Sequence, residues 1–142
     1  MKAILKPFMV MLGIIVGTAA ADAAFAADAA AAETVATGGF TNIGQKTKGT
    51  WTLETREDGV YAVLSDDFKA RKAPDLKIFL HTAAAGSVDD DNAAEGLFVA
   101  KLKSHKGGQE YKLPEGLDLS AYQSFVIHCE RYSKFWAAGA IG

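Results

Sequence analysis

Four side chains in this 142-residue chain combine ligand or redox chemistry with uncommon occurrence: the single cysteine, Cys129, and the three histidines, His81, His105 and His128. A thiolate is the reactive and metal-binding form of cysteine, and a nearby cation favours it. His128 and Arg131 lie close to Cys129 in sequence. On a strand, however, neighbouring side chains point to opposite faces. Cys129 is therefore expected to share a face with Phe125 and Ile127, and His128 to share the other with Val126. Two readings of Cys129 stand side by side: a working thiol or ligand, and a buried small hydrophobe.

Cys129 with two of the histidines would make the His₂Cys set of a copper centre. All three methionines, Met1, Met9 and Met11, fall at the extreme N-terminus, so the weak axial Met is missing, and the histidines are widely spaced. Covalent haem is excluded by the absence of C-x-x-C-H. Non-covalent haem would need an axial ligand and an apolar pocket, for which Trp51, Phe79, Tyr111, Phe125 and Trp136 are the aromatic candidates. These aromatics read equally as plain core. Asp89-Asp90-Asp91-Asn92 offers oxygen ligands but lacks the glycine and distal glutamate of a calcium loop. It reads as a solvated acidic loop. Asp75, after Pro74, reads as a structural turn residue. No G-x-S-x-G, H-E-x-x-H or P-loop is present, so hydrolytic chemistry and phosphate-loop chemistry find no support.

The elements that must position these groups are short strands. Thr50–Thr55 alternates with a period of two, Glu57-Asp58-Gly59 reads as a hairpin turn, and Val60–Leu64 returns. Further strands are expected over 76–81, 97–102, 109–113, 124–129 and 134–141, with one short helical turn over 117–122. The long segment 83–96 has no apolar periodicity and reads as a mobile surface loop or a lid. The expected fold is all-β: a single-domain antiparallel β-sandwich with one short helical turn.

The first residues read differently. Lys2 and Lys6 precede an apolar run from Pro7 to Ala21, followed by Ala24-Phe25-Ala26. This is the pattern of a secretory signal over 1–26, too short for a stable membrane span after cleavage. An Ala-rich linker over 27–37 and a domain over 38–142 follow. The protein is expected to be periplasmic or secreted. Loss of Lys2, Lys6 and Asp22 takes the formal net charge from −2 to −3. That balance carries no basic stripe, so nucleic acid is not an expected partner.

An ordered set of short motifs runs through the domain: Ser65-Asp66-Asp67-Phe68, Ala73–Leu80, Leu102-Lys103, Gly107–Pro114, Leu119–Tyr122 and Ser124–Glu130. In that order they resemble the DM-thirteen domain, a small extracellular module found beside DOMON domains. The resemblance spans roughly residues 38 to 142. It implies a β-sandwich and a redox or electron-transfer role, with a redox partner protein and a near-terminal cysteine acting as a bare thiol or haem ligand. The matching position is Cys129. The residue before it, usually Trp in that family, is here His128, which removes an aromatic wall or adds a cofactor ligand. The other function class is a non-catalytic cell-envelope binding module for a protein, glycan or small ligand.

Overall fold

A computed structural model describes residues 32–41 and 44–142. The expected signal segment and residues 27–31 of the expected linker lie outside them. Ten strands follow in order: β1 Glu33–Gly39, β2 Thr47–Lys48, β3 Thr50–Arg56, β4 Gly59–Leu64, β5 Lys69–Ala70, β6 Leu76–His81, β7 Leu97–Lys101, β8 Gln109–Lys112, β9 Ser124–Cys129 and β10 Lys134–Ala140. The helical turn is a single 3-10 turn at Leu119–Ala121, begun by Asp118, whose carboxylate accepts from the Ser120 N–H. Two more 3-10 turns, Ala85–Ser87 and Ala93–Glu95, lie in the 83–96 segment.

One sheet has the order β1-β3-β4-β8 and the other β10-β9-β6-β7, with all strand pairs antiparallel. The all-β sandwich expected from the sequence is the observed fold. β1 begins at Glu33, inside the segment read as a linker, and pairs with β3 from Glu33↔Thr55 to Gly39↔Thr50. Its alanine and threonine content hid a strand that takes its regularity from its partner.

Period-two alternation sends Trp51 and Leu53 of β3, Ala62 and Leu64 of β4, Ile78 and Leu80 of β6, and Phe125 and Ile127 of β9 into the space between the sheets. Trp51 stacks on Phe125 with ring centroids 5.2 Å apart and planes 7° from parallel. Such a pair adds about 1 kcal/mol beyond the burial of its area.

The β10-β9-β6-β7 sheet is covered on its outer face as well. Phe79, Val126, Phe135 and Ala138 pack there against Ala85, Val88 and Ala93. All six residues of β9 are buried, as expected of a strand with both faces covered. The 83–96 segment is therefore a packed cover, not a free loop. Its apolar contacts come from small residues at irregular spacing, which leave no periodic signature. In β10 the register shifts between Phe135 and Ala137, so Trp136 is the extra residue of a bulge. The bulge turns Trp136 and Ala137 into the inter-sheet core while Phe135 stays outside.

Candidate functional site

Cys129 ends β9, with Lys134 of β10 on one side and Leu76 of β6 on the other. It shares the inter-sheet face with Phe125 and Ile127 and has no exposed surface. The chain then turns sharply. The Ser133 N–H donates to the Glu130 carbonyl at 3.0 Å, and Ser133 takes a left-handed φ of 46°. The Glu130 N–H donates to the Asp75 carbonyl at 3.0 Å, tying this turn to the start of β6. The Asp75 carboxylate faces Lys77 at 3.9 Å and Lys101 at 3.6 Å, a structural role at the position expected.

Leu76 is one of the two register partners of Cys129, the other being the exposed Lys134. Residues directly opposite on antiparallel strands have Cβ atoms about 5 Å apart and share a face. Leu76 also lines a cleft of about 280 Å³ that carries Lys72, Lys101, Lys103 and His105. A register partner of the thiol thus lines a basic cleft.

His128 faces the other way, as strand alternation requires. It sits beneath the 83–96 cover, edge-on to Phe79 with ring centroids 6.1 Å apart. Its Nδ1 is buried without a hydrogen-bond partner. Burial depresses its pKa below the ordinary 6.5; Asp90 opposes that shift and Lys77 adds to it. His128 and Cys129 are neighbours in sequence but face opposite sides of β9: Cys129 joins the inter-sheet core, and His128 sits against Phe79 of the outer cluster, so the imidazole does not sit against the thiol.

The remaining candidates disperse. His81, at the far end of β6 from Leu76, is about 17 Å along the strand from Cys129. Its Nδ1 accepts from the Ala83 N–H at 2.9 Å, so Nε2 carries the proton donated to the Asn92 carbonyl at 2.9 Å. It fastens the start of the cover at Ala83 and its second half at Asn92. His105 lies in the turn over the basic cleft. The His₂Cys set therefore does not assemble, and no group of three or more His, Cys, Asp or Glu suited to a metal occurs among the described residues.

The Asp89–Asn92 run is occupied by the backbone. Asp89 accepts from the Asp91 and Asn92 N–H groups at 3.0 and 3.2 Å. Asp90 accepts from the Phe135 N–H at 2.7 Å and meets Lys134 at 3.2 Å.

The haem candidates do not surround a common slot. Trp51, Tyr111, Phe125 and Trp136 belong to the inter-sheet core, whereas Phe79 is on the outer face. Leu76, Phe125 and Ile127 fill the space beside Cys129, whose exposure is zero. The packing around the thiol does not fit a haem macrocycle.

A group of residues not singled out in the sequence does come together. Lys48 of β2 lies opposite Lys69 of β5, and Lys69 forms a bridge with Lys106. Lys46 and Arg71 flank them on the same exposed side, while Thr47 and Ala70 point inward and are buried. The expectation of no basic stripe holds for the linear sequence and fails for the folded surface.

A family model described as Electron transfer DM13 matches residues 39–141. No curated protein and no solved structure matches the chain.

Proposed function

We propose that this chain, which belongs to the electron-transfer DM13 family, is an exported redox module of the cell envelope in which Cys129 works as a bare thiol. The observation that carries the reading is the position of Cys129: fully enclosed, with its register partner Leu76 lining a basic cleft. Enclosure protects a thiol from stray oxidants, because susceptibility follows exposure and thiolate character. A lone thiol has no internal partner for a disulfide, so its exchange is with a second protein: the Cys129 thiolate attacks a partner disulfide, a mixed S–S bond forms as the partner's S–S bond breaks, and the partner's other sulfur leaves as a thiolate. The haem-ligand alternative is disfavoured by the filled space beside the sulfur. His128 acts from the opposite face, as part of the wall beneath the 83–96 cover.

The signal pattern over 1–26 supports export to a periplasm or beyond. No helix among the described residues is long and apolar enough to cross a membrane.

The complete burial of Cys129 also favours a second reading, a binding module without chemistry whose cysteine is core packing. Non-reducing mass analysis of the exported protein beside Cys129→Ser, each held in native buffer with a disulfide-bearing probe, separates the two. The redox reading expects a mixed disulfide that the variant lacks and no Soret band when haem is supplied. No mixed disulfide in the native parent protein overturns it in favour of the binding module. A Soret band that depends on Cys129 restores the haem ligand. Intact mass and fractionation of the cellular product test loss of residues 1–26 and export.

A further inference from the structure

We infer that the face built by β2, β5 and the 105–107 segment is a binding site for an anionic polysaccharide. The site is separate from the redox reading and does not rest on it. Its core is a row of three lysines across β2, β5 and the adjoining 105–107 segment. Lys48 and Lys69 are register partners. Lys69 and Lys106 are partners in an isolated antiparallel bridge. The Ala70 N–H donates to the His105 carbonyl and the Gly107 N–H to the Phe68 carbonyl, each at 2.8 Å. This bonding flanks the Lys69–Lys106 pair, making it the closer, non-hydrogen-bonded kind. Adjacent strands are about 4.8 Å apart. Three positive side chains are therefore held side by side on one exposed face.

Lys46 and Arg71 extend the row in the strand direction, each two residues from a lysine of the row and so on the same side. Arg71 meets the Gln45 side-chain oxygen at 3.2 Å. None of these five cations takes part in the ion pairs found among the described residues, which use Arg56, Lys77, Lys101, Lys112 and Lys134. Like charges directly opposite on a sheet destabilise it. Here that penalty is incurred twice, at both neighbours of Lys69, with no carboxylate in ion-pair contact with these lysines among the described residues. An anion from outside would offset it.

The shape of the site selects among anions. The cations enclose a concavity of about 250 Å³ lined by Lys46, Lys48, Lys69, Ala70 and Arg71. Its lining is mostly apolar, as the methylene stems of long cationic side chains provide while their charged ends stay in water. A sugar ring carrying sulfate or carboxylate matches this pattern, with C–H groups against the stems and anionic groups at the rim. Inorganic polyphosphate has no apolar part to place there. Nucleic acid would use aromatic side chains for stacking, and the lining has none. A bilayer surface is flat and cannot fill a concavity.

The test uses calorimetric titration of the full chain with a heparin hexasaccharide, with uncharged maltohexaose as control. The expected result is binding of the heparin fragment alone, weakening as salt is added. Lys69→Glu is expected to weaken binding about tenfold or more and to raise the melting temperature, because both repulsive pairs become attractive. Arg131→Glu, in the exposed turn after β9, makes the same change in net charge and leaves the affinity unaltered. Cys129→Ser also leaves it unaltered. If Lys69→Glu fails to fold, the double variant Lys48→Gln/Lys106→Gln carries the same expectation of weakened binding. Absence of heparin binding overturns the inference, as does equal loss in Arg131→Glu. Tighter binding of a glutamate hexapeptide, of inorganic polyphosphate or of phosphatidylglycerol vesicles assigns the face to that partner and likewise overturns it.

Discussion

Leu76 and Cys129 are register partners across β6 and β9, and Leu76 is the side chain that both faces the thiol and lines a cleft open to solvent. β6 and β9 are far apart in sequence and meet in register from Leu76↔Cys129 to His81↔Ser124. The same register places His128 against Lys77 on the outer face. Two adjacent residues thereby enter different environments, the thiol between the sheets and the imidazole beneath the 83–96 cover.

Leu76→Ala should turn a closed thiol into an accessible one. Leu76 is 4 % exposed, so truncation leaves a cavity and costs about 2–5 kcal/mol of stability. Reaction of Cys129 with a thiol reagent under native conditions should be slow in the parent protein and much faster in the variant. The comparison is made at a denaturant concentration well below either unfolding midpoint. Equal native-state rates would show that the thiol opens by another route.

His128 should make stability depend on pH above the carboxylate range. Its folded pKa is depressed below 6.5, chiefly by burial. As pH falls, the unfolded chain takes up this proton first, so the unfolded state binds more protons and stability declines. The contribution is intact above about pH 7 and is lost progressively below about 6.5, with a slope of at most about 1.4 kcal/mol per pH unit. Asp58, Asp90, Glu110 and Asp118 all have lowered pKa values, so their contributions are lost at more acidic pH. Denaturant unfolding at about pH 7.5 and 5.5 should show a drop in the parent protein that is smaller in His128→Phe.

Apart from β1, the longer strands were legible because their residues carry the pattern themselves. Thr50–Arg56 alternates, and the apolar runs at Leu76–His81 and Ser124–Cys129 match the observed bounds of β6 and β9. The opposed faces of Cys129 and His128 followed from the same alternation. The two-residue strands β2 and β5 could not be read, since a pair of residues has no period and each strand is defined by its distant partner. For that reason the basic face was missed. Its only linear trace is the spacing of Lys46 from Lys48 and of Lys69 from Arg71, two residues in each case. The bulge at Trp136 was equally hidden, because an extra residue in a small-residue strand leaves no mark until its partner is known.

Asp90 should control the closure of the 83–96 cover. Its carboxylate accepts from the Phe135 N–H at 2.7 Å and meets Lys134 at 3.2 Å, joining the cover to β10. The Phe135 N–H bond is also the largest cause of its lowered pKa. Asp90→Ala should accelerate amide hydrogen exchange at Val88 and Ala93 and leave exchange in β3 and β4 unchanged. Unchanged exchange at Val88 and Ala93 would assign closure to the apolar contacts of Ala85, Val88 and Ala93 instead.

Gly139→Ala should disrupt the junction between the two sheets. Gly139 in β10 pairs with Phe125 of β9, whose ring stacks on Trp51 of the opposite sheet. A Cβ added at Gly139 would collide with the Trp51 indole nitrogen and with the Gly39 carbonyl. Those two groups are joined by a hydrogen bond of 3.0 Å. The collision involves backbone and a ring with no exposed surface, so no flexible end can move aside. Overpacking at such a site costs about 1–3 kcal/mol, and the displaced indole N–H adds about 1–3 kcal/mol if left buried without an acceptor. The substitution should lower the unfolding midpoint and shift the tryptophan emission. Since Trp136 emits as well, the measurement is repeated in Trp136→Phe to isolate Trp51. A midpoint equal to that of the parent protein would mean that β10 can move away from β1 without loss, and that the glycine is not required by this contact.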